Sequence, residues 1–244
     1  MRVQLQPAFV LHKRPYRDTS QLLEVLTADH GRLSLVAKGT RRKGRGGPAG
    51  AILQPFIPLL LSFSGRAELK TLTGSEVAGE VTSLKGEHLF SGIYLNELLV
   101  RLLHRNDAHR DLFIAYGEAI ADLGHERVLD DTLRRFEFRL LDELGYGFDM
   151  ASDGHSGAPV AAGHWYCYHQ DYGLVEQPPG ANPGNPVFPG EDLLRIAQGD
   201  YSGPARLTCK RLLRQALAGY LGDKPLKSRE LFRQSIGQEQ GGES

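Results

Sequence analysis

The densest group of chemically active side chains in this sequence is a segment of cations and glycines. Ten consecutive residues, from Lys38 to Gly47, contain five Lys or Arg, four Gly and no acid. Glycines leave the backbone free to follow a chain of phosphates, and cations that bind phosphates release the phosphates' counterions. We therefore predict contact with a nucleic-acid backbone, and a solvated flexible loop is the alternative. The predicted DNA-binding residues are Lys38, Arg41, Arg42, Lys43 and Arg45, together with Arg14, Arg17 and Lys70.

A second group of cations alternates with apolar residues near the C-terminus. A solvated helix face and a C-terminal packing segment account for about half of these residues. The others suit either DNA phosphates or an acidic peptide with a hydrophobic end, which needs an apolar slot rimmed by Lys and Arg. The predicted partner-binding residues are Lys210, Arg211, Arg214, Lys224, Lys227, Arg229 and Arg233, interleaved with Leu213, Leu217, Leu226 and Phe232.

The charge is concentrated at the two ends of the chain. The 244 residues include 29 Lys+Arg and 29 Asp+Glu, so the formal net charge is zero. Residues 1–50 nevertheless hold ten Lys or Arg and three acids, and residues 205–233 hold eight and two. A neutral chain with this asymmetry has local cationic surface that suits a polyanion.

The acidic residues form no recognisable catalytic pattern. The phosphate-loop motif GxxxxGK[ST] is absent from the sequence, so nothing supports nucleotide hydrolysis. Asp130-Asp131, Asp142-Glu143 and Asp171 lie at predicted helix ends or in loops, where they act as caps or solvated residues. We predict neither a two-metal nuclease site nor another enzymatic activity.

One segment, His164 to His169, mixes residue types that bind metals. With Asp153 and His155 upstream and Cys167 inside it, an Asp/His/His/Cys zinc site is conceivable. A plain strand is the favoured alternative because the sequence has no CxxC pair. We predict no metal and no other cofactor. The sequence leaves open whether a remnant metal site survives at His155, His164 and Cys167. Two cysteines, Cys167 and Cys209, are too few for a disulfide framework, so we expect reduced, structural thiols.

Membrane and secretion signals are not recognisable in the sequence. The longest apolar run, from Ile57 to Leu61, is far shorter than the ~18–20 residues that a membrane span needs. The first residues lack the apolar core of a secretion signal. We expect a cytoplasmic protein.

The residues before position 80 have the short apolar runs and turn residues of a β-structure. Asp29-His30-Gly31 predicts a hairpin turn, and Pro55 and Pro58 suit a bent or edge strand. Five short strands with a long glycine-rich connection between the third and the fourth favour a small antiparallel barrel. The predicted strands are Ala8–His12, Gln21–Thr27, Arg32–Lys38, Leu53–Phe63 and Glu68–Thr73.

After residue 84 the apolar residues recur at spacings of three and four, which predicts helices. The predicted helices are 89–103, 112–123, 133–144, 191–198 and 205–221. The apolar side of the last helix consists of Leu207, Leu212, Leu213, Ala216, Leu217 and Tyr220. Residues 145–190 are rich in Gly, Pro, Asn and Asp, which predicts an irregular insert. The expected domains are residues 1–80 and residues 84–237, followed by a frayed tail at 238–244.

Several stretches in order along nearly the whole chain resemble the RecO family of bacterial recombinational DNA repair proteins. Each stretch alone is a modest signal, and their combination in this order is specific. The stretches are Ala8–His12, Leu35–Gly39, Leu53–Phe56, Leu59–Leu61, Gly92–Leu99, Arg134–Glu137, Leu144–Gly147 and Lys224–Leu231.

The resemblance implies an α+β protein. Its N-terminal OB-fold is a five-stranded barrel that commonly binds single strands, and an all-helical C-terminal domain with an irregular insert follows. It also implies a recombination mediator at the nucleoid that binds single- and double-stranded DNA and anneals complementary strands. The implied partners are the acidic tail of single-strand-binding protein, RecR and, indirectly, the RecA recombinase. Some relatives carry a four-cysteine zinc module in the insert, and this sequence has Cys167 alone there.

The alternative class of function is a non-mediator OB-fold module, such as an RNA-binding or ribosome-associated protein. The large apolar faces of the predicted helices and the basic C-terminal stretch favour the mediator. A mediator of this kind makes and breaks no covalent bond: it neutralises the repulsion between two phosphate chains while their bases stay free to pair.

Overall fold

The computed structural model describes residues 1–40, 48–125, 127–181 and 184–232. By its contacts the chain divides into two compact units. The first unit contains residues 1–127 and the chain from Pro225 onward, and the second contains residues 128–224. The predicted tail at 238–244 lies outside the described residues.

A closed barrel of five strands occupies the described part of residues 1–80, as predicted. Around the barrel the order is β1-β2-β3-β5-β4, with β3 and β5 parallel and every other neighbouring pair antiparallel. A short helix, α1, lies between β3 and β4. The elements are β1 Arg2–Tyr16, β2 Ser20–Thr27, β3 Gly31–Ala37, α1 Pro48–Ile52, β4 Pro58–Ser64 and β5 Leu69–Val77.

The barrel interior is filled by the inward-facing side chains of each strand. On β4 the buried residues Leu59, Leu61 and Phe63 alternate with the partly exposed Leu60 and Ser62. This period of two is what a strand with one face on a core requires. The other fully buried members of the core include Val10, Leu23, Val25, Leu35 and Leu53.

Two helices pack against the barrel at β1. Helix α2 spans Gly86–Leu102, and helix α3 spans Arg110–Gly124. The ring of Phe9 lies 5.4 Å from the ring of Phe113 and 5.0 Å from that of Tyr116, centroid to centroid. These contacts group α2 and α3 with the barrel, whereas the sequence placed them in a helical domain at 84–237.

A bulge in β1 fixes these helices on the barrel. The β1–β2 register shifts between Val10 and His12, which leaves Leu11 as the extra residue. The carbonyl of Leu11 accepts a hydrogen bond from Asn96 Nδ2 on α2 at 2.9 Å, and Tyr116 Oη on α3 donates to Asn96 Oδ1 at 2.6 Å. These bonds are buried, so they satisfy polar groups that water does not reach.

The connection between α2 and α3 lies against the β2–β3 turn. The Asn106 N–H donates to the Arg32 carbonyl at 3.0 Å, and Arg32 Nε donates to the Leu103 carbonyl at 3.2 Å. Gly31 has φ +63, and a Cβ there would lie 1.7 Å from the Asp107 carbonyl oxygen. Glycine is therefore required at this turn for both its backbone angle and its lack of a side chain.

Residues 225–232 pack on α2. Arg101 Nη1 donates to the Pro225 carbonyl at 3.3 Å, and Leu226 is buried. The rings of Phe90 and Phe232 meet edge to face, with their centroids 5.9 Å apart. The described part of this segment becomes helical at residue 227.

The second unit contains the remaining predicted helices and a small sheet. On α4, Arg134 Nη1 lies 2.8 Å from Glu137 Oε2, and both side chains are buried. Removing one partner of such a pair leaves an uncompensated buried charge. The elements are α4 Leu129–Glu143, β6 Trp165–His169, β7 Gly173–Glu176, β8 Val187–Pro189, α5 Gly190–Ala197 and α6 Gly203–Leu221.

The insert is more regular than the sequence predicts. In its described residues, β6 pairs with β7 and β8 in an antiparallel sheet of order β7-β6-β8. The three strands have five, four and three residues, so none is long enough to show a sustained alternation in the sequence. The favoured interpretation of His164 to His169 as a strand agrees with β6.

Asp153 organises the loop that precedes this sheet. Its Oδ1 accepts hydrogen bonds from the N–H groups of His155, at 3.0 Å, and Ser156, at 2.7 Å, and from the Ser156 hydroxyl at 2.9 Å. Its Oδ2 accepts the Glu176 N–H of β7 at 2.5 Å. Burial alone would raise the pKa of Asp153, but these bonds outweigh it and lower the pKa to about 2. One carboxylate thus ties the loop to the sheet.

Candidate nucleic-acid interface

Three of the predicted DNA-binding cations lie at one end of the barrel. The register pairs Tyr16 with Ser20 and Gln21 with Ala37, so the β1–β2 turn and the residue after β3 lie at the same end. Strand β1 reaches Tyr16, beyond its predicted end at His12. Exposed cations at this end are Arg14, Arg17 and Lys38.

The glycine-rich segment joins the barrel at this end. A Cβ on Gly50 would lie 3.1 Å from the Thr40 carbonyl oxygen, so the described residues on either side of the segment are close together. Thr40 Oγ1 donates to the Ala37 carbonyl at 3.2 Å, which ties the first of them to β3. Arg41, Arg42, Lys43 and Arg45 lie outside the described residues, so their DNA contact stays a prediction.

Lys70 does not fit the predicted DNA-binding set. Its side chain is buried at 7% exposure, and its Nζ donates to Asn106 Oδ1 at 3.2 Å. Asn106 belongs to the α2–α3 connection, so Lys70 has a partner from a distant part of the chain. We therefore remove Lys70 from the set and assign it to the contact between this connection and β5.

An ion-pair network covers part of the outer face of β2 and β3. Arg32 Nη1 lies 2.8 Å from Glu24 Oε2, and Arg105 Nη2 lies 3.1 Å from Glu24 Oε1. Arg105 Nη1 also bonds to Glu68 on the β4–β5 turn, which holds the pKa of Glu68 below its ordinary value. Ser34 Oγ donates to Glu24 Oε1 at 2.5 Å. Neither Arg32 nor Arg105 is among the predicted DNA-binding residues, and each forms a salt bridge with a carboxylate.

Helix α6 presents the largest group of predicted partner-binding residues. Lys210, Arg211 and Arg214 are exposed, and Arg211 Cζ lies 5.9 Å from the centre of the Phe188 ring. Leu207, one turn before them on the same face of the helix, is 64% exposed, so its predicted place on the apolar side is wrong. Lys224, beyond the end of the helix, is exposed as well.

Three of the four apolar residues predicted to line a slot beside these cations are buried and do not line one. Leu213 and Leu217 are fully buried in the second unit, and Leu226 is 4% exposed in the first. Leu213 and Leu217 belong to a core because the spacing of α6 turns them away from its cationic face, and Leu226 is buried just before the helical turn at residue 227. The exposed Leu207 is the apolar residue beside the α6 cations.

The remaining predicted partner-binding residues belong to the first unit. Lys227 is exposed and Arg229 is partly exposed, while Arg233 lies outside the described residues. The predicted set is thus divided between the two units, with Lys210, Arg211, Arg214 and Lys224 in the second.

The residues of the conceivable zinc site have other partners. His164 Nδ1 lies 2.9 Å from Glu176 Oε1, and the His155 ring meets Tyr172 edge to face at 5.6 Å. Cys167 is buried, and burial raises the pKa of its thiol. Within residues 1–40, 48–125, 127–181 and 184–232, no three His, Cys, Asp or Glu side chains are placed to hold a metal ion.

Helices of membrane-spanning length and apolarity are absent from the part of the chain that the structure describes.

Comparison with known proteins identifies the family. Residues 1–80 match the family described as "Recombination protein O N terminal", and residues 84–230 match "Recombination protein O C terminal". The chain is 45% identical over 218 residues to the DNA repair protein RecO of Nitrosospira multiformis, covering 89% of each chain. It is 47% identical over 219 residues to that of Nitrosococcus oceani, covering 89% of this chain and 88% of the relative. The relative from Stutzerimonas stutzeri is 47% identical over 214 residues, covering 87% and 86%. The barrel, the helices and these matches agree, and the chain belongs to the RecO family of DNA repair and recombination proteins.

Proposed function

We propose that this protein is a recombination mediator that binds single- and double-stranded DNA and anneals complementary strands. Membership of the RecO family, over almost the whole chain, supports this function most directly. The cations at one end of an OB-type barrel add a physical reason, because such barrels commonly bind single strands. A protein with this role acts on chromosomal DNA, so we place it at the nucleoid in the cytoplasm.

Annealing requires the repulsion between two phosphate chains to be neutralised. Arg14, Arg17 and Lys38 supply positive charge at the barrel end, and the glycine-rich segment adds more. Cations that hold the phosphates leave the base edges free, so a second strand pairs with the bound one. The protein forms and breaks no covalent bond in this process.

The proposed partners follow from the same role. A mediator has to reach DNA that is covered by single-strand-binding protein, and we propose that the acidic tail of that protein binds the α6 cations. RecR joins the complex, and the two proteins together load RecA. The exposed Leu207 beside Lys210 and Arg211 supports this use of α6, because an acidic peptide with an apolar end needs both kinds of contact.

An annealing assay on coated DNA tests the proposed function. Two complementary oligonucleotides, one with a fluorophore and one with a quencher, are covered with single-strand-binding protein and mixed with or without this protein. We expect the protein to accelerate quenching, and we expect high salt to abolish the acceleration because the phosphate contacts are electrostatic. Binding of RNA with no acceleration of DNA annealing would contradict the proposal and favour a non-mediator OB-fold module.

A further inference from the structure

The last part of β1 carries polar, cationic and aromatic side chains at alternate positions on the outside of the barrel. Lys13 pairs with the core residue Leu23, so it lies on the inner face of the strand. Because side chains alternate along a strand, His12, Arg14 and Tyr16 lie on the outer face. They are about 6.8 Å apart, two residues of an antiparallel strand.

Tyr16 already makes a cation–π contact with a neighbouring arginine. The guanidinium carbon of Arg17 lies 5.3 Å from the centre of the Tyr16 ring, within the range of a cation–π contact. Arg17 adopts φ +52, in the left-handed region that residues other than glycine seldom occupy. The β1–β2 turn thus places a guanidinium against an aromatic ring that is itself partly exposed.

The charge around Tyr16 complements a phosphate chain. Arg14 and Arg17 flank it on β1 and in the turn, and Lys38 lies at the same end of the barrel after β3. In the sequence of this hairpin end, residues 12–20, the one acid is Asp18. Glu24, which pairs with His12 across the strands, is engaged by arginine and serine partners.

We propose that Tyr16 is a stacking platform for an unpaired nucleobase, with Arg14, Arg17 and Lys38 holding the flanking phosphates. This inference rests on the proposed DNA binding and adds to it the residue that distinguishes a single strand from a duplex. A base inside a duplex is already stacked on both faces, so Tyr16 contributes to single-strand binding alone. The cations serve both forms of DNA because both carry phosphates.

Affinity measurements on two substitutions of one residue test the platform. We expect Tyr16→Leu to weaken binding of a labelled oligothymidine at least about fivefold, the lower end of the range for aromatic stacking on a base. Tyr16→Phe keeps the ring and should retain the affinity. Neither change should alter binding of a DNA hairpin duplex by more than about twofold, whereas Arg14→Ala should weaken both. Thermal denaturation of each variant checks that the fold is kept.

A fluorescent residue at the same position reports stacking directly. The sequence has one tryptophan, Trp165, so Trp165→Phe gives a background in which Tyr16→Trp is the single indole. We expect oligothymidine to quench this fluorescence and the duplex to leave it unchanged. Three results would overturn the platform: Tyr16→Leu weakens single-strand and duplex binding equally, it weakens neither, or the oligothymidine does not quench the indole. In each case the unaltered protein still binds DNA, so the proposed function stands. Failure of the unaltered protein to bind any DNA would overturn the proposed function and the platform together.

Discussion

The carboxylate of Glu97 on α2 accepts two hydrogen bonds from Ser228, one from its N–H at 2.8 Å and one from its hydroxyl at 2.7 Å. The other carboxylate oxygen accepts the Lys227 N–H at 2.9 Å. These are the first N–H groups of the helical turn that begins at residue 227. Glu97, which is distant in the sequence, therefore caps that turn. Glu97 thus anchors the segment that contains Lys227 and Ser228 to α2.

We predict that Glu97→Gln loosens this segment, because an amide is a weaker and uncharged acceptor for the first N–H groups of a helix. Hydrogen exchange of the peptide containing Lys227 and Ser228 should become faster, while exchange of the β2 and β3 peptides stays the same. Glu87→Gln, at the exposed start of the same helix, is the matched control. Equal protection of the C-terminal peptide in the two variants would contradict the anchor.

The anchor should also depend on pH in a defined direction. Burial alone would raise the pKa of Glu97, but the hydrogen bonds from Ser228 and Lys227 hold the pKa below its ordinary value of 4.5. A carboxyl whose pKa is lowered by folding stabilises the fold above its ordinary pKa, and this contribution is lost as the pH falls through the lowered value. Protection of the C-terminal peptide should thus fall in acid in the unaltered protein and change less in Glu97→Gln.

The buried bonds of Asn96 predict a large loss of stability on substitution. Asn96→Leu leaves the Leu11 carbonyl and the Tyr116 hydroxyl without this partner, at about 1–3 kcal/mol for each unsatisfied group. Tyr116→Phe removes one of the two bonds and leaves one buried group, Asn96 Oδ1, without this donor, so it should cost about 1–3 kcal/mol, less than the loss of both bonds. Urea unfolding of both variants measures the difference. A Tyr116→Phe cost as large as that of Asn96→Leu would show that the bulge carbonyl does not need Asn96.

The barrel was predictable from the sequence, and most of the contacts that hold the helices on it were not. The alternation along β4 predicts which of its residues are buried, because each residue faces the core or solvent according to its position in the strand. Nothing near Glu97 indicates that its partners lie at 227 and 228, and nothing near Lys70 indicates Asn106. Such pairs form between residues that are far apart in the sequence, and the spacing of apolar residues gives no information about them.

The candidate site shows the same division between local and distant effects. The exposure of Arg14, Arg17 and Lys38 agrees with their residue types, since isolated cations seldom lie fully buried. Leu207 is predicted wrongly on the apolar side of α6. The residues three, four and seven positions after it are Lys210, Arg211 and Arg214, so the helical period puts it on the exposed, cationic face. The residue type of Leu207 is apolar, but the helical period gives its observed exposure.

The lowered pKa of Asp153 predicts an acid transition in the second unit. Its bonds to Ser156 and Glu176 stabilise the folded loop at neutral pH, and this contribution should disappear as the pH falls from its ordinary value of 3.8 towards about 2. Trp165 on β6 is the single tryptophan, so its fluorescence reports on this sheet. Asp153→Asn should shift the acid transition, and Asp171→Asn, an exposed neighbour in the β6–β7 turn, should not. Identical titration curves for both variants would remove Asp153 from this role.

The glycine-rich segment predicts a change in salt dependence. Replacing Arg41, Arg42 and Lys43 with Ala should weaken single-strand binding and reduce the slope of log K against log salt by about 0.7 for each phosphate that the variant no longer neutralises. Lys70→Met is the informative comparison, because a buried cation bonded to Asn106 should leave the slope unchanged. The measurement is a salt titration by fluorescence anisotropy. An unchanged slope in the triple variant would show that these three cations do not contact phosphates.

Charge reversal on α6 distinguishes binding of the acidic peptide from binding of DNA at this helix. Arg211→Glu with Arg214→Glu replaces positive charge beside Leu207 with negative charge, so an acidic peptide that ends in an apolar residue should bind far more weakly. The affinity for single-stranded DNA should fall less, because the barrel end still holds it. The control with the same change of net charge is Arg110→Glu with Arg127→Glu, two exposed residues whose surface ion pairs contribute little.

Anisotropy with a labelled peptide and a labelled oligonucleotide measures both affinities on each variant. Because single surface charges contribute weakly, we expect the peptide to bind with modest, salt-sensitive affinity and the apolar contact to decide its specificity. Leu207→Ser should then weaken peptide binding and leave DNA binding unaffected. If the α6 reversal spares the peptide while DNA binding falls, the helix face binds DNA, and the peptide site has to be sought elsewhere in the protein.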